Sequence, residues 1–91
     1  VGGYVYIMTN RRHGVLYIGV AADIGARVSD HKTGQGSLFC KRYGLRTLVW
    51  YEHHGRIEDA IQRETSLKRW PRRWKIELIE RTNPGWEEMV A

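Results

Sequence analysis

An arginine, a histidine and a glutamate stand where their types conflict with the pattern around them. Ile24, Arg27, Val28 and His31 follow the i, i+3, i+4, i+7 spacing of one helix face. Two of the four are polar, and Arg27 and His31 lie one turn apart on the same side. A guanidinium beside an apolar stripe either holds an anion or runs its stem past the core edge to water. Farther along, Ile57, Ala60, Ile61, Glu64, Leu67 and Lys68 share a face, with Glu64 in its middle. A carboxylate there is costly unless it is paired, hydrogen-bonded or bound to a metal. One solution is a salt bridge to Arg27 or to a neighbouring lysine. The other is a hard cation such as Mg²⁺, which uses one or two carboxylates and keeps several waters.

Phenols complete the set. Tyr4, Tyr6 and Met8 share one face of a first strand, and Tyr17 lies on a second with Val15 and Gly19. Gly19 leaves room beside the ring for a ligand or another backbone. Strand tyrosines also serve as plain packing. Taken with Arg27 and Glu64, these residues suggest hydrolysis of a phosphodiester. That reaction needs an activated water, charge stabilisation on the phosphate and help for the leaving oxygen. A tyrosine with a depressed pKa serves as base, and an arginine fork holds the phosphate.

The elements that must position them follow from periodicity and punctuation. Gly3 to Thr9 and Val15 to Val20 read as strands joined by a polar hairpin loop, Asn10 to Gly14. Ala22 to Lys32 reads as a helix with Asp23 as N-cap, ended by Gly34 and Gly36, with a loop running to about Gly44. Leu45 to His53 is a third strand, needed because two alone are marginal. Ile57 to Trp70 and Arg72 to Arg81 are helices separated at Pro71, with Trp74, Leu78 and Ile79 inward in the second. Asn83-Pro84-Gly85 is a turn, and Trp86 to Val90 a short helical turn. The order β-β-α-β-α-α predicts an α+β fold, a small three-stranded antiparallel sheet flanked by helices.

Ninety-one residues, 42% hydrophobic and 27% charged, make one globular domain over 1–91 and not a disordered chain. The single cysteine, Cys40, excludes an internal disulfide and a Cys-rich zinc site and fits a reducing compartment. No apolar run approaches the roughly 18 residues of a membrane span. Val1 to Asn10 lacks the basic region and cleavage site of a signal peptide, so a cytoplasmic setting is expected.

Fifteen Lys and Arg oppose ten Asp and Glu, a net charge of +5. A basic balance favours polyanions, nucleic acid first. Arg63, Lys68, Arg69, Arg72, Arg73 and Lys75 are crowded into one stretch with Trp70 and Trp74 among them. Lys32 and the pair Lys41 and Arg42, beside Tyr43, extend the cationic set. Cations neutralise phosphates and aromatics stack on bases; a solvated helix face with core tryptophans is the other meaning of the same run.

Tyr4-Val5-Tyr6 followed by Tyr17-Ile18-Gly19 resembles the paired motif of the GIY-YIG nuclease superfamily. The likeness continues through Arg27, His31 and Glu64 and covers essentially the whole chain. It is most similar to small single-domain bacterial members. The resemblance implies an endonuclease that cuts DNA by one-metal hydrolysis. Tyr6 would be general base and Tyr17 its assistant. Arg27 would hold the phosphate, Glu64 the metal, Mg²⁺ or Mn²⁺, and His31 would orient the base or touch phosphate. Tyr4 replaces the first motif glycine. Val20 replaces a lysine that many members carry, leaving Lys32, Arg63 or Lys68 to lower the tyrosine pKa. Asn83 reads as a turn or cap and not as the late metal-site asparagine of other members.

The expectation is a DNA-repair nuclease of low sequence specificity or structure selectivity, for which a protein partner could supply targeting. The competing function is a nucleic-acid-binding module without catalysis. A protein-interaction domain leaves the basic stretch without a purpose.

Overall fold

The alternation of apolar residues in Gly3–Thr9 puts Val5 and Ile7 on one side and Tyr6 and Met8 on the other, and all four are fully buried. A strand buried on both faces must be central. In the computed structural model, which describes residues 2–89, this strand, β1, pairs antiparallel with β2, Leu16–Ala21, and with β3, Thr47–His54, in the order β2-β1-β3. The helices are α1, Ile24–Lys32; α2, Leu38–Tyr43; α3, Ile57–Arg69; and α4, Arg72–Thr82. The fold is the expected α+β arrangement.

Each sheet face carries its own core. Val5, Ile7, Ile18, Val49 and Trp50 pack with Ala60 and Leu67 of α3 and Leu78 and Ile79 of α4. Tyr6, Met8, Ala21 and Leu48 pack with Ile24 of α1 and Cys40 of α2. A β-bulge opposite Ile7 and Met8 sends Val49 and Trp50 to the first core and Leu48 to the second. Asp23 caps α1 by accepting from the Ala26 amide at 3.0 Å.

Three sequence expectations change. The loop to Gly44 contains a six-residue helix, α2, closed by Gly44 in the left-handed region at φ +67°. Its N-cap Ser37 accepts from the Phe39 amide at 3.1 Å, so Ser37 and Gly44 bracket it. Trp74 does not point inward: it is 47% exposed and meets Trp70 edge-on at 5.9 Å. Residues 86–89 form no helical turn, and Val90 lies outside the described residues. Asn83 holds Glu87 through both side-chain groups, and Trp86 sits at φ +57°, which stops helix propagation. Met89 instead donates its amide to the Leu48 carbonyl at 2.8 Å, and the Glu88 carboxylate accepts from the Leu48 amide at 2.6 Å. The tail thus covers the outer edge of β3, a strand edge that would otherwise be open to pairing.

Candidate active site

The second core contains Tyr6, with Tyr17 packed against it. Tyr6 of β1 is opposite Gly19 of β2, and the missing side chain there is what admits the phenol. A Cβ on Gly19 would lie 2.6 Å from Tyr6 Oη, 2.7 Å from its Cζ and 3.0 Å from Tyr17 Cε2. His31 stands on the buried stripe of α1 with Ile24 and reaches the same phenol: Tyr6 Oη and His31 Nε2 are 2.9 Å apart. Gly36 closes the far side, where a Cβ would be 2.4 Å from His31 Nδ1. Tyr17 is half-buried, its ring 6.3 Å from that of Tyr6 and 5.6 Å from that of His31. Phe39 of α2 stacks on it at 6.2 Å.

Electrostatics link two more groups to this hydroxyl. Burial pushes Tyr6 well above the usual phenol range; Tyr17, Cys40 and Glu64 push the same way, and Arg27 opposes them. Arg27 and Glu64, from α1 and α3, therefore both act on one buried oxygen. The cation that favours ionisation of Tyr6 is Arg27. Lys32 instead pairs with Glu88 and donates to the Arg46 carbonyl, and Arg63 bonds Glu52 at 3.1 Å. Arg27 is exposed and makes no ion pair among the described residues, so its fork is open to an anion. Glu64 is half-buried and has Lys68 at 3.4 Å, the neighbouring-lysine solution to its place on the apolar face.

His31 is 2% exposed, and Nδ1 has no hydrogen-bond partner. Burial first, then Arg27, lowers its pKa from the ordinary 6.5, with Asp30 opposing. The folded state therefore resists a proton that the unfolded chain accepts. This contribution to stability is complete above pH 6.5 and is lost as pH falls toward the lowered folded value. Melting temperatures of wild type and His31→Gln, measured from pH 8 to 5, should show a steeper acid decline in wild type. Parallel curves would contradict a neutral, buried His31.

The basic residues divide by partner. Lys32 and Arg63 are engaged as described, and Arg63 also lies over the Trp70 ring at 5.3 Å. Arg72 donates to the carbonyls of His13 and Gly14. Arg42 lies over Tyr43 at 5.6 Å. Lys41, Arg69 and Arg73 are exposed. Lys68 and Lys75 line a cleft of about 300 Å³ beside Tyr17, with Leu16, Ile18 and Phe39.

Among the described residues, no group of three His, Cys, Asp or Glu side chains is placed to hold a metal ion. The candidate donor is the single carboxylate of Glu64, which with Arg27 influences Tyr6. This fits a hard ion that keeps water and takes its remaining ligands from substrate phosphate, as Mg²⁺ does. Among the same residues, no helix is long and apolar enough to cross a membrane.

The site thus sets a buried tyrosine–histidine pair in the field of an unpaired arginine and a carboxylate, on a β2-β1-β3 sheet. The GIY-YIG catalytic domain matches residues 2–77, and the chain belongs to that family. Membership implies a nuclease-type function; nucleases of this family bind DNA and are generally dependent on divalent metal. Its relatives are small proteins. It is 36% identical over 77 residues to UPF0213 proteins of Staphylococcus aureus strains Mu3 and Mu50, covering 85% of this chain and 93% of theirs. The solution NMR structure of the UPF0213 protein BH0048 from Bacillus halodurans is similar, with a TM-score of 0.59 and 28% identity. That match covers 96% of this chain and 92% of the other.

Proposed function

We propose that the protein is a DNA endonuclease that hydrolyses phosphodiester bonds with Tyr6 as base. The observation that carries this reading is the buried Tyr6–His31 hydrogen bond, on which Arg27 and Glu64 both act. Burial opposes a free phenolate, so Tyr6 works in concert with its partner. With substrate bound, the half-exposed Tyr17 ring beside it moves to admit the attacking water, and the Tyr6 oxygen takes a proton from that water while its own proton passes to His31 Nε2. The lowered pKa keeps His31 neutral and able to accept. The relay uses the tautomer with its proton on Nδ1, an unpaired buried donor of the costly kind tolerated at functional sites.

Arg27 binds the scissile phosphate and offsets its growing charge. Tyr17, half-exposed beside Tyr6, positions the water or the phosphate. Glu64 would hold the divalent ion, which supplies charge stabilisation at the leaving oxygen. Lys68 then gives up its contact with Glu64 and faces the DNA. The cationic set of Lys32, Lys41, Arg42, Arg63, Lys68, Arg69, Arg72, Arg73 and Lys75 meets phosphates, which carry no sequence information directly. The substrate is therefore DNA of particular structure or of low sequence specificity. The setting is cytoplasmic DNA repair, with a protein partner for targeting.

The test is cleavage of supercoiled plasmid and branched DNA by purified protein in Mg²⁺, Mn²⁺ or EDTA. Metal-dependent cleavage is expected, falling roughly a hundredfold in Glu64→Gln, which keeps a neutral oxygen but loses the charge. Cleavage that survives EDTA and Glu64→Gln would remove Glu64 from the chemistry. DNA binding without cleavage would favour the binding module.

A further inference from the structure

A second cleft, of about 480 Å³, opens at the hairpin end of β2. Arg11, His13, Arg72 and Lys75 line it, with Gly14, Val15 and Leu16, and no carboxylate does. Leu16 and Lys75 also line the cleft beside Tyr17, so the two are neighbours. They run along the open edge of the sheet, where β2 is the outer strand.

Most of this lining is held in place. Arg72 Nη2 donates to the His13 carbonyl at 2.7 Å and to the Gly14 carbonyl at 2.6 Å, tying α4 to the hairpin loop. His13 meets Glu80 at 2.9 Å and lies edge-on to Trp86 at 5.2 Å. Asn10 Oδ1 accepts from the Val15 amide at 3.0 Å, and Thr9 Oγ1 donates to the Arg11 carbonyl at 2.9 Å. The Arg11 side chain is exposed and makes no ion pair among the described residues. Arg11 on a braced loop, with Arg72 and Lys75 of α4 beside it and Glu80 held by His13 and Trp86, forms a preorganised anion site.

We propose that this cleft binds a backbone phosphate of the DNA strand being cut, which runs from Tyr17 along the β2 edge to the hairpin loop. The proposal rests on the reading of the protein as acting on DNA. Tyr17 and Gly14 are three residues apart, about 10 Å along a strand. A DNA strand advances about 3.4 Å of helix axis per phosphate, so the anchored phosphate lies roughly three nucleotides from the cut. Arg11 and His13 thereby join the substrate surface, although their short polar loop reads only as a turn.

The experiment measures binding of a duplex oligonucleotide in EDTA, which keeps cleavage out of the result. It compares wild type, Arg11→Glu and Arg56→Glu. Arg56 is a charge-matched control at the opposite end of the sheet, because it follows His54, which pairs with Gly3, whereas the hairpin follows Thr9. Arg11→Glu should weaken binding roughly fivefold or more and lower the salt slope by about one, with Arg56→Glu within about twofold. Backbone amide NMR signals of Arg12 to Val15 in wild type should shift with DNA, a readout that needs no variant. Equal losses in the two variants overturn the proposal. So do loop signals that ignore DNA, or that respond to inorganic phosphate and not to DNA. Wild-type cleavage decides the nuclease reading separately, since this binding test stands without catalysis.

Discussion

Tyr6→Phe is expected to abolish cleavage, by roughly a thousandfold or more, while DNA affinity stays within a few fold. The substitution removes one oxygen and keeps the ring that fills the core between β1 and α1. Tyr6 is fully buried, so it contributes little to the surface that meets DNA. Its oxygen is the only hydrogen-bond partner of the His31 ring among the described residues, because Nδ1 has none. Loss of that oxygen would leave the imidazole without any partner, at a cost of about 1–2 kcal/mol. A domain of this size then melts roughly 4–15 °C lower. The stability loss is therefore modest and the catalytic loss large, a separation that a packing role cannot produce. Single-turnover cleavage and a salt-matched binding titration check it. Cleavage within tenfold of wild type would mean that another group takes the proton, and Tyr17 would be the first to examine. His31→Gln tests the relay from the other side. Gln accepts a hydrogen bond but takes no proton at these pH values, so cleavage should fall while Tyr6 stays in place.

How much of this was legible depends on what each residue answers to. The strands and the three longer helices were readable because Val5, Ile7, Ile18, Leu67 and Leu78 answer to burial, which leaves a period. Arg27 and His31 were readable as a pair one turn apart, but not their separation by depth. His31 is buried against Tyr6, while Arg27 remains exposed and reaches the same site through its field. Periodicity gives direction around a helix and says nothing of how far a side chain stands from the sheet. The cations were the least legible. Lys32 and Arg72 both read in sequence as cations for DNA, yet Lys32 secures the tail through Glu88 and Arg72 braces the hairpin loop. Both partners are far along the chain, and charge alone carries no record of such contacts. The helix α2 was hidden because six residues between glycine-rich segments show less than two turns of pattern.

Gly19→Ala is expected to lower cleavage by between about a hundredfold and a thousandfold and to destabilise the domain by roughly 1–3 kcal/mol. One methyl group is enough because its neighbours cannot yield. The added carbon would lie 2.6 Å from Tyr6 Oη and 2.7 Å from Cζ, well inside van der Waals contact. Tyr6 is enclosed on all sides, and its oxygen is tied to His31, whose own far side rests on Gly36. The push must therefore separate β2 from β1 or turn the phenol away from the imidazole. Either movement breaks the relay, and the 3.0 Å approach to Tyr17 Cε2 disturbs the second tyrosine as well. Gly25→Ala is the matched comparison. A Cβ there meets only Asp23 Oδ1 at 3.6 Å, and alanine is the better helix former, so that variant should be as stable as wild type or up to about 1 kcal/mol more so. Thermal melts of the pair and the NMR position of the His31 ring protons check the argument. If Gly19→Ala melts with wild type and keeps the His31 signals unchanged, the register that sets Tyr6 opposite Gly19 is not the one the protein uses, and the site built upon it fails with it.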